Sequence, residues 1–259
     1  MGQTIVLMAN DTVGVEVARY LVANGDRIVR LYLHAPEYQK RAEEIVTASR
    51  CQPEDIYLAP VLKDARHVAG LQELGPDFII TVYWRDLLRG DVIRAARRGT
   101  VNFHPALLPI NRGWYPHVHS LIDGTPTGVT IHAIDETADT GPIWAQREVP
   151  LTPFDTADTI YHRLQTEIVA LFKETWPKIA SGELQPTPQD ESKAIYHSMK
   201  EIDALDRLDL DASMTVRDLL NRLRARSFGD LGFAYFEVGD RKVYVNLRLS
   251  PTRSFKTGD

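Results

Sequence analysis

A pair of polar residues with the chemistry of an acyl-transfer site lies near the middle of the chain. Asn102 lies in a predicted strand, 101–103, and His104 comes just beyond its end, two residues later. Alternate side chains of an extended segment point to the same side, so an amide donor and a titratable imidazole meet there. Acyl transfer needs a base for the proton of the attacking amine and a donor for the developing oxyanion. An isolated pair of this kind is better explained by a turn-capping Asn and a buried structural His.

The pair begins a series of motifs that come one after another along the chain. The chain reads N-x-H-P-x-L-L-P from Asn102 to Pro109, then Arg112-Gly113, then G-V-T-x-H ending at His132, then D-x-G-x-I from Asp139. This combination resembles the folate-dependent formyltransferases, the superfamily of glycinamide ribonucleotide, methionyl-tRNA and nucleotide-sugar N-formyltransferases. The resemblance is strong over residues 75–185 and loose elsewhere.

The resemblance implies catalytic roles for Asn102, His104 and Asp139 and makes His132 a second histidine of the active site. These roles agree with the side-chain chemistry. Asn102 can donate to the oxyanion, and a neutral His104 can accept the amine proton. Asp139 would orient His104 or a water that relays protons.

The resemblance also implies N10-formyltetrahydrofolate as the formyl donor, without a metal. It places the folate at two loops, residues 83–87 and 135–139. A flat heteroaromatic ring suits an apolar slot with polar groups at its edge, and Trp84 and Leu87 can form part of the wall. The predicted folate-binding residues are Tyr83, Trp84, Arg85, Leu87, Asp135 and Asp139.

The expected acceptor is the amine of a nucleotide-linked amino-deoxysugar, a small molecule of the kind used in lipopolysaccharide O-antigen biosynthesis. The nucleotide-sugar branch best fits a formyltransferase core with a small C-terminal extension. Arg112 can contact phosphate or sugar oxygens, although a role in shaping the loop fits equally well. The predicted acceptor-binding residues are Asn10, Arg112, Gly113, Trp114, Tyr115 and His132.

Methionyl-tRNA and other small-molecule amines remain alternative acceptors. The C-terminal extension is smaller than the barrel that holds tRNA in relatives, and residues 201–211 are strongly acidic. An RNA partner would favour a basic surface.

Three other classes of protein explain the sequence less well. A metal hydrolase would use the histidines at 104, 117, 119 and 132, but His117 and His119 point to different faces of a predicted helix, 115–123. A dinucleotide-binding oxidoreductase needs a glycine fingerprint, whereas residues 9–14 contain a single glycine. A non-catalytic binding module would have no use for the Asn, His and Asp together.

The composition indicates a cytoplasmic protein that does not bind nucleic acid or membranes. The 259 residues carry a formal net charge of −5, and a negative charge disfavours binding to the phosphate backbone of nucleic acids. The single cysteine, Cys51, cannot form an internal disulfide and suits a reducing compartment. Residues 1–24 include Asn10, Asp11 and Glu16, which fit neither a secretory signal nor a membrane span.

The elements that must position these residues alternate between strand and helix along most of the chain. This alternation predicts an α/β fold, a Rossmann-like, mostly parallel sheet with helices on both faces and a small C-terminal α+β appendage. A helix is expected from Pro36 to about residue 49, another over 91–97, and a long one over 156–180 that Pro177 kinks or ends.

We expect a catalytic domain over residues 1–182, a linker over 183–195 and a small domain over 196–259. The last of these contains a predicted helix, 215–226, and a hairpin that turns at Gly239-Asp240. The hairpin either forms a homodimer interface or covers the core.

Overall fold

A mixed seven-stranded sheet forms the centre of the fold in a computed structural model, which describes residues 2–252. The strands of the chain are β1 (Thr4–Ala9), β2 (Arg27–Leu33), β3 (Ile56–Leu58), β4 (Phe78–Val82), β5 (Gly99–His104), β6 (Arg112–Gly113), β7 (Gly128–His132), β8 (Ile143–Glu148), β9 (Tyr196–His197), β10 (Ser227–Phe228), β11 (Leu231–Gly232), β12 (Ala234–Val238) and β13 (Arg241–Val245). The helices are α1 (Asp11–Ala23), α2 (Ala42–Ser49), α3 (Ala65–Leu74), α4 (Gly90–Ile93), α5 (Pro116–Asp123), α6 (Ala157–Ser181), α7 (Met199–Asp206) and α8 (Val216–Ala225).

The strand order of the central sheet is β3-β2-β1-β4-β5-β7-β8. The first five strands in this order are parallel, and β7 and β8 run antiparallel to their neighbours. The predicted fold class, a mostly parallel sheet covered by helices, is confirmed. The register sets Asn102 of β5 between Thr81 of β4 and His132 of β7, so three polar side chains meet near the ends of these strands.

The central strands are apolar at nearly every position because both faces of the sheet are covered. In β1, Ile5 and Leu7 pack into the core beneath α1 and α6, whereas Val6 and Met8 pack into a second core beneath α3. Each of these side chains is fully buried and stabilises the fold by roughly 1.5–3 kcal/mol. This two-sided packing fixes β4 and β5, which carry the candidate site.

Helix α6 continues through Pro177 to Ser181, where Gly182 caps it, so Pro177 does not end the helix, one of the two outcomes expected of it. A proline removes the hydrogen bond to the carbonyl four residues earlier, here that of Lys173. The Tyr20 hydroxyl donates to this carbonyl instead, over 3.1 Å. The freed acceptor therefore has a partner, and the last turn of the helix persists.

Two other predicted helices are shorter than expected. The helix predicted from Pro36 is a single 3₁₀ turn, and α2 begins only at Ala42. The interruption is fixed by Asn10, whose Oδ1 accepts a hydrogen bond from the Lys40 backbone N–H over 2.7 Å. Helix α4 ends at Ile93, because the N–H groups of Ala95 and Ala96 donate to carbonyls three residues earlier instead of four. The N–H of Arg97 then donates to the Pro76 carbonyl, just before β4.

Residues 183–195 lie along the catalytic unit rather than extending away from it. Thr187 and Ile143 exchange two backbone hydrogen bonds of 2.7 and 2.8 Å at the edge of β8. The chain then forms α7, α8 and the hairpin of β12 and β13, which turns at Gly239-Asp240 as predicted. Helix α8 packs against α5, so the C-terminal part of the chain borders the candidate site.

Within residues 2–252, none of the helices combines the length and the apolar character that crossing a bilayer requires.

Candidate active site

A cavity of about 300 Å³ opens at the carboxyl ends of β4 and β5, where parallel sheets commonly bind ligands. Both loops predicted to bind folate reach it. Asn10 and Arg112 do not line it. The predicted residues in its wall are Tyr83, Trp84, Arg85, Leu87, Asn102, His104, Gly113, Trp114, Tyr115, His132, Asp135 and Asp139.

The Asn102 amide is held in one orientation by its neighbours on both sides. Thr81 Oγ1 donates to Asn102 Oδ1 over 2.6 Å, and Asn102 Nδ2 donates to His132 Nε2 over 2.9 Å. The other ring nitrogen of His132, Nδ1, donates to the Ala133 carbonyl over 2.7 Å, which makes Nε2 the acceptor. One N–H of Asn102 is therefore left over and is held ready to donate to an oxyanion.

His104 presents one basic nitrogen to the site. Its Nε2 donates to the Asn111 carbonyl over 3.0 Å, so the lone pair of the neutral ring lies on Nδ1. The side chain is buried, and burial lowers the pKa of His104 below its ordinary value although the facing Asp139 carboxylate opposes this shift. His104 is thus neutral near pH 7 and can accept a proton at Nδ1.

The Asp139 carboxylate lies between the two imidazoles. Its Oδ1 is 3.5 Å from Nδ1 of His104 and 3.6 Å from Nε2 of His132, and its Oδ2 accepts a hydrogen bond of 2.9 Å from the Gly113 N–H. Burial favours the neutral acid, but the imidazoles and the Gly113 N–H more than offset this and hold the pKa of Asp139 well below its usual range. The ionised carboxylate can stabilise the imidazolium that forms when His104 takes up a proton.

The backbone that carries Asp139 is fixed from outside the cavity. Gln189 Nε2 donates to the carbonyls of Asp139 and Gly141 over 2.8 and 2.7 Å. Gln189 Oε1 in turn accepts from Arg112, whose guanidinium also makes two hydrogen bonds to Glu191. Residues 183–195 thereby hold the loop that carries the Asp139 carboxylate.

Of the two roles expected for Arg112, contact with the acceptor or shaping of its loop, this arrangement matches the second. Its side chain is buried, lies outside the cavity and is occupied by Gln189 and Glu191. Asn10 is also used internally, since its side chain bonds to the backbone at Tyr38 and Lys40. Neither side chain has the placement of a direct ligand of this cavity.

The part of the cavity beside Asn102, His104 and Asp139 fits a flat heteroaromatic ring. Trp84 forms one wall and is stacked on His34, with ring centroids 4.1 Å apart and planes 20° from parallel. The Trp84 Nε1 atom is buried and has no hydrogen-bond partner among the described residues. Asp135 stabilises the opposite loop by accepting hydrogen bonds from Thr137 and Thr140. These features suit the pterin ring of a folate.

Four residues in or next to the cavity wall have a left-handed backbone. Tyr83, Asn111, Tyr115 and Asp139 have φ between +52° and +58°, in the left-handed region. Such a conformation costs a non-glycine residue about 1–3 kcal/mol and is frequent at functional sites. The surrounding hydrogen bonds, such as those from Gln189 and Gly113, maintain it at Asp139.

A cluster of His and Asp residues lies outside the cavity, and its geometry is poor for a metal. Among residues 2–252, ligand atoms of His119, Asp123 and His197 come within 4.8 Å of one another. The two imidazoles are stacked at 3.5 Å and nearly parallel, so their nitrogens do not converge. Both nitrogens of His197 are already bonded, to Glu201 and Asn111. As predicted, His117 contacts other groups and packs against Tyr161.

Several contributors to the site were missed in the sequence. Thr81 is a polar residue in an otherwise apolar strand, and this signal would have identified it. Asn111 acts through its backbone carbonyl, Gln189 through the backbone of a distant loop, and Tyr196 by lining the cavity from the C-terminal part. No local pattern marks these three.

The geometry of the cavity matches the needs of acyl transfer to an amine. It supplies an oriented amide donor, a neutral base and a carboxylate that stabilises the charged base. An amine that is protonated in solution must lose a proton before it can attack. His104 is the group placed to take a proton from it.

Comparison with known proteins agrees with this chemistry. Residues 28–175 match the family described as formyl transferase. Residues 201–251 match the N-formyltransferase dimerization C-terminal domain.

Similar proteins act on sugars. The chain is 36% identical over 179 residues to dTDP-4-amino-4,6-dideoxyglucose formyltransferase of Mycobacterium tuberculosis, covering 68% of this chain and 75% of that protein. The structure of a sugar N-formyltransferase from a Shewanella species has a TM-score of 0.83 and 26% identity, covering 98% of this chain and 100% of that one. A formyltransferase from Anoxybacillus kamchatkensis was solved with UDP-4,6-dideoxy-4-formamido-L-AltNAc and tetrahydrofolate. It has a TM-score of 0.55 and 27% identity and covers 78% of this chain and 88% of that one. The chain described here belongs to the formyl transferase family.

Proposed function

We propose that this enzyme transfers the formyl group of N10-formyltetrahydrofolate to the amine of a nucleotide-linked amino-deoxysugar. The observation that carries the proposal is the position of the Asp139 carboxylate, 3.5 Å from the basic nitrogen of His104, in one cavity with the Asn102 amide. The relatives act on dTDP-linked and UDP-linked amino sugars, and one was solved with tetrahydrofolate.

The folate supplies an activated formyl group at its N10 nitrogen, and Trp84, Leu87 and the loop from Asp135 would hold its pterin ring. Asn102 donates its remaining N–H to the formyl oxygen as negative charge develops there. His104 accepts a proton from the attacking amine at Nδ1. Asp139 stabilises the resulting imidazolium and keeps the ring in place. The proton then leaves on the nitrogen of the departing carrier.

The proposed acceptor carries its amine at position 4 of a dideoxyhexose linked to dTDP. The support is the M. tuberculosis relative, whose identity of 36% is spread over 75% of that protein. Residues 201–211 contribute acidic rather than basic surface, which disfavours methionyl-tRNA. The wider biological setting that we propose is cytoplasmic biosynthesis of an O-antigen sugar.

The C-terminal unit, residues 196–259, is proposed to mediate a homodimer. Residues 201–251 match a dimerization domain, and the β12–β13 hairpin forms a two-stranded sheet of its own. An isolated hairpin is only marginally stable in water and gains stability when another surface covers it. Val238 and Tyr244 on this hairpin are more than half exposed and would be covered in the dimer.

The test is turnover with N10-formyltetrahydrofolate against a panel of nucleotide-linked 3-amino and 4-amino deoxysugars, with methionyl-tRNA and glycinamide ribonucleotide alongside. We expect release of tetrahydrofolate with a dTDP-linked 4-amino sugar and none with His104→Asn. Turnover with methionyl-tRNA but with no nucleotide sugar would overturn the proposed acceptor and leave the formyl-transfer chemistry in place.

A further inference from the structure

The short strand β9, from the C-terminal part of the chain, lies against the segment that follows β5. It pairs in parallel with β6, inside the segment 109–114. Backbone hydrogen bonds join the two at both ends. The Ile195 N–H donates to the Pro109 carbonyl over 3.1 Å, and the Trp114 N–H donates to the His197 carbonyl over 3.0 Å. This segment is therefore held in place by residues far along the chain.

The two strands approach each other so closely that position 113 needs a glycine. Gly113 has a φ of +88°, and a Cβ atom there would lie 2.3 Å from the carbonyl oxygen of His197. The Gly113 N–H donates to Asp139 Oδ2 over 2.9 Å. The other residue of β9, Tyr196, lines the catalytic cavity. Strand β9 thus packs directly on the backbone that supports the site.

Asn111 is the residue of this segment that contacts the proposed base. It is fully buried and has a left-handed φ of +58°, and its backbone carbonyl accepts a hydrogen bond from His104 Nε2 over 3.0 Å. Its side-chain Nδ2 donates to the hydroxyls of Ser120 and Thr125 over 2.8 and 2.9 Å. Both amide hydrogens are used in this way, so Oδ1 is the acceptor end of the side chain.

His197 supplies the donor for this acceptor. Its Nε2 is 3.1 Å from Asn111 Oδ1, and its Nδ1 is 2.9 Å from the Glu201 carboxylate. Because both partners are acceptors, the ring donates from both nitrogens. His119 packs on the face of the ring, with centroids 3.5 Å apart and planes 5° from parallel, and burial lowers the pKa of His119 to about 4, so this neighbour is neutral. The His197 ring is therefore fixed at both nitrogens and on one face.

We propose that His197 is a positioning residue for formyl transfer, because it holds Asn111 in the conformation that keeps the proton of the neutral His104 ring on Nε2. The proposal rests on the proposed function, since it takes His104 as the base. Without His197, the buried Oδ1 of Asn111 loses its donor, and the left-handed backbone of Asn111 can relax. The His104 ring can then carry its proton on Nδ1, where no lone pair is left for the amine.

Two substitutions of His197 separate its two hydrogen bonds. The amide nitrogen of Asn takes the place of Nδ1, so His197→Asn keeps the bond to Glu201 and loses the bond to Asn111. The amide nitrogen of Gln reaches the place of Nε2, so His197→Gln keeps the bond to Asn111. We expect His197→Asn to lower kcat by about tenfold, with both Michaelis constants within about twofold of the wild type, and His197→Gln to retain most of the activity.

The protonation of His104 provides a readout that a general loss of structure would not change in this way. Two-bond ¹H–¹⁵N spectra of protein labelled at its eight histidines show which ring nitrogen carries the proton, and His104→Asn identifies the signal. The wild type and His197→Gln should show the Nε2-protonated ring, and His197→Asn a mixture of both tautomers. Burial lowers the pKa of His104, and the bond to the Asn111 carbonyl opposes this shift. Loss of that bond should therefore move the acid limb of kcat to lower pH.

A variant of Asn111 tests the same contact from the other side and does not depend on how well His197→Asn folds. Asn111→Gly keeps the left-handed backbone accessible but removes the side chain that His197 holds. It should lower kcat by about tenfold, and His197→Asn should cause little further loss in the Asn111→Gly background, because the contact is already broken. Full additivity of the two losses would contradict the proposal.

His67→Asn is the matched control for loss of a half-buried histidine. His67 bonds to the hydroxyl of Tyr32 over 2.7 Å and does not line the cavity. This variant should keep the wild-type kcat, acid limb and His104 tautomer. A loss in His67→Asn as large as that in His197→Asn would mean that activity follows stability alone, which would overturn the proposal.

The outcomes also separate the proposal from the function on which it rests. If the wild type releases tetrahydrofolate with none of the acceptors, the proposed function fails, but the His104 tautomer still tests the contact, because this readout needs no substrate. If His197→Asn keeps the wild-type kcat and tautomer, the proposal is wrong. It is also wrong if His197→Gln loses as much activity as His197→Asn, since the histidine would then act on the fold and not through Asn111.

Discussion

The Nδ1 atom of His104 lies 3.5 Å from a carboxylate oxygen of Asp139, while the Nε2 atom of the same ring donates to the Asn111 carbonyl. The hydrogen bond to the Asn111 carbonyl leaves Nδ1 as the basic nitrogen of the neutral ring. The position of Asp139 places a negative charge next to that nitrogen. A neutral imidazole in this position can take a proton only at Nδ1, next to the carboxylate that stabilises the product. Contacts within the protein therefore orient the imidazole and the carboxylate toward each other.

The pH dependence of turnover should follow the protonation of His104. Activity needs the neutral ring and therefore falls as the pH drops through the pKa of His104, which burial places below the ordinary 6.5. In Asp139→Asn the carboxylate that raises this pKa is gone, so the acid limb of kcat should move to lower pH. The value of kcat itself should fall by about 10²–10⁴. Stopped assays between pH 5 and 8 measure both, and an acid limb that moved upward would contradict the assignment.

Thr81 should act on catalysis through Asn102. Its hydroxyl donates to Asn102 Oδ1 over 2.6 Å and so fixes the orientation of an amide that lines the cavity. We expect Asn102→Ala to lower kcat by about 10²–10³, as for loss of an oxyanion donor, and Thr81→Val to lower it by about tenfold. Thr81→Ser keeps the hydroxyl and should restore most of the activity. Equal activity of the Val and Ser variants would show that the hydroxyl does not position Asn102.

The alternation of strands and helices was enough to predict the sheet, and the order of motifs was enough to predict Asn102, His104 and Asp139 in the cavity wall and the two loops around it. Each depends on local sequence, such as apolar runs that are buried on both faces. The role of Arg112 was not predictable, because its partners Gln189 and Glu191 lie more than seventy positions away along the chain. The carbonyl that Pro177 leaves without a helical donor likewise finds its partner in Tyr20, a residue of another helix. Long-range partners decide these cases, and local patterns do not encode them.

The stability of the catalytic unit should depend on a buried contact between α6 and the turn before β2. Trp176 is fully buried, and its Nε1 donates to Asp26 over 2.7 Å. Trp176→Phe keeps an aromatic ring but leaves the carboxylate without this donor, so the free energy of unfolding should fall by about 2 kcal/mol. Urea denaturation followed by circular dichroism measures this change. A loss below about 0.5 kcal/mol would mean that Asn24, which also donates to Asp26, compensates fully.

Gln189 and Arg112 should control the rate of transfer rather than the binding of the acceptor. Gln189 Nε2 holds the carbonyls of Asp139 and Gly141, and Arg112 holds Gln189. When this support is lost, the strained backbone at Asp139 can relax and move the carboxylate away from His104. We expect Gln189→Leu and Arg112→Ala each to lower kcat by about tenfold, with both Michaelis constants within about twofold of the wild type.

The acid limb distinguishes this positioning role from a general loss of structure. Withdrawal of the carboxylate lowers the pKa of His104, so the limb should shift to lower pH in both variants, in the same direction as in Asp139→Asn. Gln185→Leu is a matched control in the same segment, because Gln185 bonds to the Gly182 carbonyl and does not touch the Asp139 loop. It should leave kcat and the pH profile unchanged. A rise in the acceptor Michaelis constant of Arg112→Ala, with kcat and the acid limb unaltered, would instead mean that Arg112 contacts the acceptor directly and that its pairing with Gln189 and Glu191 is broken when substrate binds.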